Sequence, residues 1–179
     1  MSPMVISSSQ DVLVFWFLSS PSSRWYAQDD GFDAEIRRRY LTTYQAAGSG
    51  KLDAWRLAPK SMLSLIILLD QFPRNMFRDS ARAFASDAQA VGLTREGIEK
   101  GFDRALSGAQ LDFFYMPLMH SESMSDQDLL IEQGHGDNRY ARQHHEIIAR
   151  FGRFPLRNEA LGRESTAEEA EYMQVHPSS

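Results

Sequence analysis

From Met62 to Leu69 the chain reads Met-Leu-Ser-Leu-Ile-Ile-Leu-Leu, apolar at every position but Ser64, and Pro59 stands just ahead of it. Proline suits the first turn of a helix, where its missing N–H has no intrahelical partner to lose and its fixed φ is already helical. A helix with apolar side chains facing all round is stable only inside a core. The stretch is far shorter than the ~18 residues a membrane span requires, so that core must come from the rest of the chain. Pro73 is expected to close this central helix near Leu69 or Phe72, because its ring and absent N–H oppose continuation.

The segments available to wrap the rod share the helical period. Ser9, with Asp11 in the first turn, is placed to cap a short helix through Val12, Leu13, Phe15, Trp16 and Phe17, which Ser19 to Ser23 around Pro21 stop. Phe32, Ile36, Tyr40 and Tyr44 stripe one face of a helix from about Phe32 to Ala47, ended by Gly48 and Gly50. A further helix from about Ala81 to Lys100 carries Phe84, Ala88, Val91 and Ile98; its Gly92 and Gly97 weaken it unless another backbone packs closely there. Leu111 to Met116 forms a short aromatic helix that Pro117 kinks or breaks, and Asp126 to Gln133 follows. Asn138 caps a helix in which His144, Ile147, Ile148 and Phe151 lie on adjacent turns, and Ser165 with Glu168 makes the S-x-x-E capping box of a last, acidic helix. No segment reads as a convincing strand. The expected architecture is all-α: one domain over residues 1–179, about eight helices arranged as a bundle or a helical-hairpin superhelix.

Composition removes several classes of function. A chain of 179 residues without cysteine has no disulfide scaffold, thiol nucleophile or thiolate metal site. The net charge of −5 speaks against a general nucleic-acid binder, which needs a basic face. Met1 to Ile6 has no positive charge before its apolar step, which argues against a secretory leader, so a cytoplasmic protein without membrane attachment is expected. Of 19 basic residues 16 are arginine, the side chain whose planar fork suits bidentate carboxylate and phosphate contacts. Six of them (Arg139, Arg142, Arg150, Arg153, Arg157 and Arg163) fall within residues 139–163.

Familiar motifs fail on their details. Gly48-Ser49-Gly50-Lys51 lacks both the leading glycine and the following Ser or Thr of a phosphate loop, and reads as a helix stop. His120-Ser121-Glu122 has neither a nucleophile elbow nor the cysteine half of a zinc deaminase signature. Because no His or carboxylate pair among His120, Glu122, His144, His145 and Asp70 has a ligand spacing such as H-E-x-x-H, no metal or other cofactor is expected. His144 is expected on the inward stripe of its helix with its ring nitrogens satisfied. Asp70 is more informative: a carboxylate in the last turn of a helix meets the negative end of the macrodipole and needs a cation. Arg74, or the group Arg150, Arg153 and Arg157, can supply it.

Asp70-Gln71-Phe72-Pro73-Arg74-Asn75, Met119-His120-Ser121-Glu122 and Arg150-Phe151-Gly152-Arg153-Phe154-Pro155, then Arg157-Asn158 and Leu161-Gly162-Arg163-Glu164, resemble the bacterial domain-of-unknown-function family numbered 924. The similarity continues through Phe15-Trp16-Phe17, Leu52-Asp53-Ala54-Trp55, Ala83-Phe84-Ala85 and Glu168-Glu169, nearly the whole chain. The resemblance implies an all-helical fold similar to tetratricopeptide-type superhelices and carries no assigned reaction. Leu156 stands where relatives are expected to carry histidine, which counts against a metal or acid/base role at that position.

Two functions remain. The first is a pocket for a small anionic ligand, with Asp70, Arg74, Asn75, Arg153, Arg157 and Asn158 as binding residues and His120 and Glu122 orienting the ligand or exchanging a proton, whether or not turnover follows. The second is a non-enzymatic scaffold that holds a peptide or protein on a helical face with exposed aromatics such as Trp25 or Trp55. An arginine–carboxylate network of purely structural purpose is the plain reading against which both stand.

Overall fold

The apolar stretch forms the buried rod its sequence demands in a computed structural model that describes residues 5–177. Helices make up its regular structure, and no strand occurs among the described residues. Met1 to Met4, part of the leader argument, lie outside them. The chain divides into two units, Met1–Arg78 with Arg82–Pro117 and Asp79–Ala81 with Leu118–Ser179.

In the first unit the rod begins as α3 (Pro59–Ile66), widens into a π turn at Ile67–Gln71 and resumes as α4 (Phe72–Met76), while α1 (Ser9–Leu13), α2 (Asp30–Gly48) and α5 (Asp87–Glu99) pack along it. Pro73 therefore does not end the helix, contrary to expectation. It has no N–H to offer the Leu69 carbonyl four residues back, so the hydrogen-bond register slips: Phe72 donates to the Ile67 carbonyl, five residues away, and the Ser86 hydroxyl takes over Leu69 at 2.6 Å. Asp70 consequently sits inside the rod and not in its last turn. Pro117 likewise lies within α6 (Ala109–His120), where the Thr94 hydroxyl donates to the neighbouring Phe114 carbonyl at 2.9 Å.

The caps fall close to the sequence reading. Ser8, not Ser9, caps α1, because its hydroxyl accepts the Asp11 N–H while the Asp11 carboxylate accepts the Ser8 N–H. Beyond Leu13 the expected helix continues as a π turn over Val14–Ser19. Ala81–Phe84, expected to open α5, is a separate 3-10 turn. Aromatic side chains fill the space between these elements: Trp16 meets Phe32, Phe72 and Phe113 at ring centroids of 6.1, 5.6 and 5.5 Å. Trp25 donates its indole N–H to the Trp16 carbonyl at 2.9 Å and, like Trp55, is half-buried.

The second unit is built on α7 (Met124–Glu132), α8 (Arg139–Phe151) and α9 (Ala167–Val175). Ile147, Ile148 and Phe154 form its buried apolar centre, against which Met124, Phe151 and Tyr172 pack. Asn138 caps α8 through two backbone N–H groups, and Gly152, at φ 70°, turns the chain out of it in the left-handed conformation that glycine adopts without strain. The capping box of α9 is Thr166 with Glu169, one residue beyond the expected Ser165 and Glu168. No helix is long and apolar enough to cross a membrane among the described residues.

Candidate functional site

The π turn sets the first polar cluster. By displacing the register it turns Asp70 into the interior of the first unit, fully buried, where the Gln71 amide donates to it at 2.6 Å and Arg74 lies 3.4 Å away. One helical turn brings Arg74 back over Asp70, which is the cationic partner the sequence required. Arg74 also makes a two-pronged contact with Asp87, 2.9 Å at each prong, so one guanidinium serves two carboxylates. Burial works against its charge, but the two carboxylates outweigh that and raise its pKa. Asn75 faces another way. Its amide donates to Asp33 at 2.7 Å, and Arg78 grips the same carboxylate at 2.8 and 3.0 Å, tying α4 to the first turn of α2.

The remaining predicted residues belong to the second unit. Glu122 follows the end of α6 and accepts the Phe154 N–H at 2.8 Å and both prongs of Arg163 at 2.8 and 3.0 Å. Burial pushes its carboxyl up, yet the hydrogen bonds from Arg163 and Phe154 and the charges of Arg163 and Arg157 hold it below the usual glutamate value. Arg153 is engaged in the same manner by Glu169, at 2.6 and 2.8 Å, and also donates to the Glu164 carbonyl. Asn158 is buried between these pairs. Its amide nitrogen reaches Ser165 and Glu169, and its oxygen accepts from Arg163 at 2.9 Å. Arg153, with the Thr166 N–H and Asn158 assisting, draws the Glu169 pKa down to about 2 against the opposing effect of burial.

Arg157 is held differently within its unit. Its guanidinium lies 4.4 Å from the centre of the Phe154 ring and donates to the His120 carbonyl at 2.9 Å. His144 approaches the same ring edge-on, centroids 5.1 Å apart, and its Nδ1 lies 3.0 Å from the Met119 carbonyl. A carbonyl only accepts, so Nδ1 carries the proton and Nε2 the lone pair. The expectation that both ring nitrogens are satisfied holds for Nδ1 alone; among the described residues Nε2 has no hydrogen-bond partner. Burial, with the Arg157 charge beside it, lowers the His144 pKa despite the Met119 carbonyl. Among the described residues no three His, Asp or Glu side chains converge as metal ligands would.

Sequence reasoning thus named one partner of each pair more readily than the other. Asp87, Asp33, Glu169 and Arg163 were outside the candidate set, although the dense run of arginines before acidic α9 signals that such pairing is available. His144 reads from the sequence as an inward residue of its helix, and the position it shares with Phe154 beside Arg157 emerges only from the folded unit.

A bacterial family described as a protein of unknown function, DUF924, matches residues 12–176. The solved structure of a protein of unknown function, ATU0120 from Agrobacterium tumefaciens, is 38% identical and aligns over 93% of this chain and 97% of its own with a TM-score of 0.86. No curated protein matches. The family match runs from within α1 to just past the end of α9, and the chain belongs to the DUF924 family of bacterial proteins of unknown function.

Proposed function

We propose that this protein binds a small anionic ligand at the Phe154–Arg157 turn of its second unit, with Arg157 as the group that holds the negative charge. The observation that carries the reading is the seating of Arg157: a ring face on one side and a backbone carbonyl on the other fix the guanidinium. A cation oriented before the ligand arrives loses little side-chain entropy on binding. Arg74 and Arg153 act as framework in this reading, each gripping a carboxylate of its own unit with both prongs. Glu122, ionised and gripped by Arg163, positions the turn through the Phe154 N–H and is poorly suited to exchanging a proton. The residue at 120 contributes its carbonyl to Arg157.

A thermal-shift panel of inorganic phosphate, phosphate monoesters, and mono- and dicarboxylates tests this, because a ligand bound only by the native state raises Tm. At a hundred times its Kd a ligand adds roughly 2.7 kcal/mol of stability. The expected result is a rise in Tm with at least one anion, lost in Arg157→Gln and retained in Asn75→Ala. A panel that leaves Tm unmoved rejects the reading and favours the peptide-binding scaffold. For that alternative Trp25 and Trp55 are half-buried, and the first unit's exposed large apolar side chains include Leu18 and Tyr26, 78% and 73% exposed.

A further inference from the structure

In the second unit His144 joins the end of α6 to the turn that follows α8. Its Nδ1–H is committed to the Met119 carbonyl, which the Gln127 amide also caps at 3.0 Å, so the ring is anchored on a fixed point. The same ring packs edge-on against Phe154, and the Arg157 guanidinium lies over that phenyl group. A half-buried imidazole and a guanidinium thus share one aromatic side chain.

From this arrangement we propose that His144 is an acid-sensitive latch: protonating it sets a second cation beside Arg157 and releases the Phe154–Arg157 turn, while the imidazolium stays on Met119. A carbonyl accepts from a charged N–H more strongly than from a neutral one, so protonation tightens the Met119 contact and the relief comes at Phe154 and Arg157. Withdrawal from water disfavours the charged ring and the Arg157 charge adds to this, together holding His144 below its ordinary value of 6.5. Only the charge of Arg157 enters, however its fork is engaged. Carboxylates of the neighbouring elements are held by other groups: Glu122, after α6, by Arg163; Asp128 of α7 by His145 at 2.9 Å; Asp126 of α7 by the Ser121 hydroxyl at 2.5 Å; Glu169 of α9 by Arg153. The closed turn is therefore fully stable above pH 6.5 and loses stability as pH falls from there. Histidines are the side chains that ordinarily change charge in this range. Protonating His145 strengthens its contact with Asp128, the opposite sign, and His176 lies against Tyr172 past the end of α9. His120, which gives its backbone carbonyl to Arg157, and His135 are common to wild type and variant in the test below.

Hydrogen exchange of the full chain at pH 7.5 and 5.5, corrected for the intrinsic rate, tests the latch. The readouts are the Arg157 and Asn158 amides, which donate to the Phe154 and Pro155 carbonyls in the closed turn. If protonation requires opening, a ring of ordinary pKa 6.5 raises the open population about tenfold over that interval, and protection of these amides should fall by up to that factor. Ile147 and Ile148, in the apolar centre of the unit, should keep theirs. His144→Asn retains an amide N–H for Met119 and does not titrate; its turn should be equally protected at both pH values. Equal protection in wild type at the two pH values, the same loss in His144→Asn, or loss spread evenly through Ile147 and Ile148 overturns the proposal. Should His144→Asn fail to fold, the imidazole resonances of wild type and Arg157→Gln decide: the titration midpoint of His144 should rise in Arg157→Gln, and an unmoved midpoint overturns the proposal. No anion enters the measurement, so failure of the anion-binding reading leaves the latch standing, and the reverse holds as well.

Discussion

At the residue scale, Glu169 shows how a buried carboxylate is made useful to folding. Its side chain is almost wholly out of solvent, and what keeps it ionised is the two-pronged contact with Arg153, seconded by the Thr166 N–H and by Asn158. Its folded pKa, about 2, lies below the ordinary glutamate value of 4.5, so the unfolded chain binds the proton more readily. The linked stability is fully present above pH 4.5 and is lost as pH falls from there towards 2. Glu169→Gln should therefore unfold more easily at pH 7 and lose less stability than wild type between pH 5 and pH 3; urea midpoints at the three pH values read both effects. An acid limb as steep in the variant would mean that another carboxylate dominates. Asp70 displays the part that sequence can reach. Its need for a cation, argued from a last turn that it does not occupy, comes instead from its full burial, and Arg74 stands one turn on. Asp87, the second claimant on Arg74, becomes its neighbour only when α5 packs against the rod, and no local pattern announces that.

At the scale of the element, the rod through Pro59–Met76 makes a proline compatible with helix interior by local rearrangement. The π turn and the Ser86 hydroxyl act together on the Leu69 carbonyl, and the partnership can be measured. Ser86→Ala leaves a buried carbonyl without that donor and should cost about 1–3 kcal/mol. With Pro73→Ala as background, position 73 regains an N–H for Leu69, so the same Ser86→Ala change should cost less. A double-mutant cycle with no coupling between the two sites would refute the account. The period of the apolar residues disclosed that this helix exists and is buried. It could not disclose the register slip, which depends on a serine thirteen residues beyond the proline. The glycines of α5 make the same distinction. A Cβ at Gly97 would stand 2.5 Å from the Phe114 ring and 2.8 Å from the Met62 sulfur, whereas one at Gly92 would meet nothing within 4 Å. Gly97 is thus held by side chains, not by the close backbone its pattern suggested; nothing in the structure accounts for Gly92. Gly97→Ala should destabilise by about 1–3 kcal/mol through overpacking, and Gly92→Ala should stabilise by up to about 1 kcal/mol through helix propensity. Thermal melts of the two variants should move in opposite directions.

Across the whole molecule, helical class, burial of the central rod and the surplus of arginine over lysine were legible because each is a property of composition or short-range period. The polar networks were not, since each joins residues far apart in sequence. In the second unit Glu122, from the end of α6, holds the Phe154 N–H after α8 and Arg163 ahead of α9, and Arg163 passes the connection through Asn158 to Glu169. Segments with few apolar contacts are fixed in this way by charged hydrogen bonds, whose loss releases the backbone they hold. Glu122→Ala leaves Arg163 and the Phe154 amide without their shared acceptor. Hydrogen exchange should then quicken at Phe154 and through residues 154–163. Amides of α7 and α8 around Gln127, Ile147 and Ile148, held by helix hydrogen bonds and apolar packing, should keep their protection. Uniform loss of protection over the second unit would show that Glu122 supports its core; no change at Phe154 would show that the carboxylate does not hold the turn. The expected outcome, a loosened turn on an intact helix pair, would mean that the seat of Arg157 is held in place by Glu122 and built on a stable base.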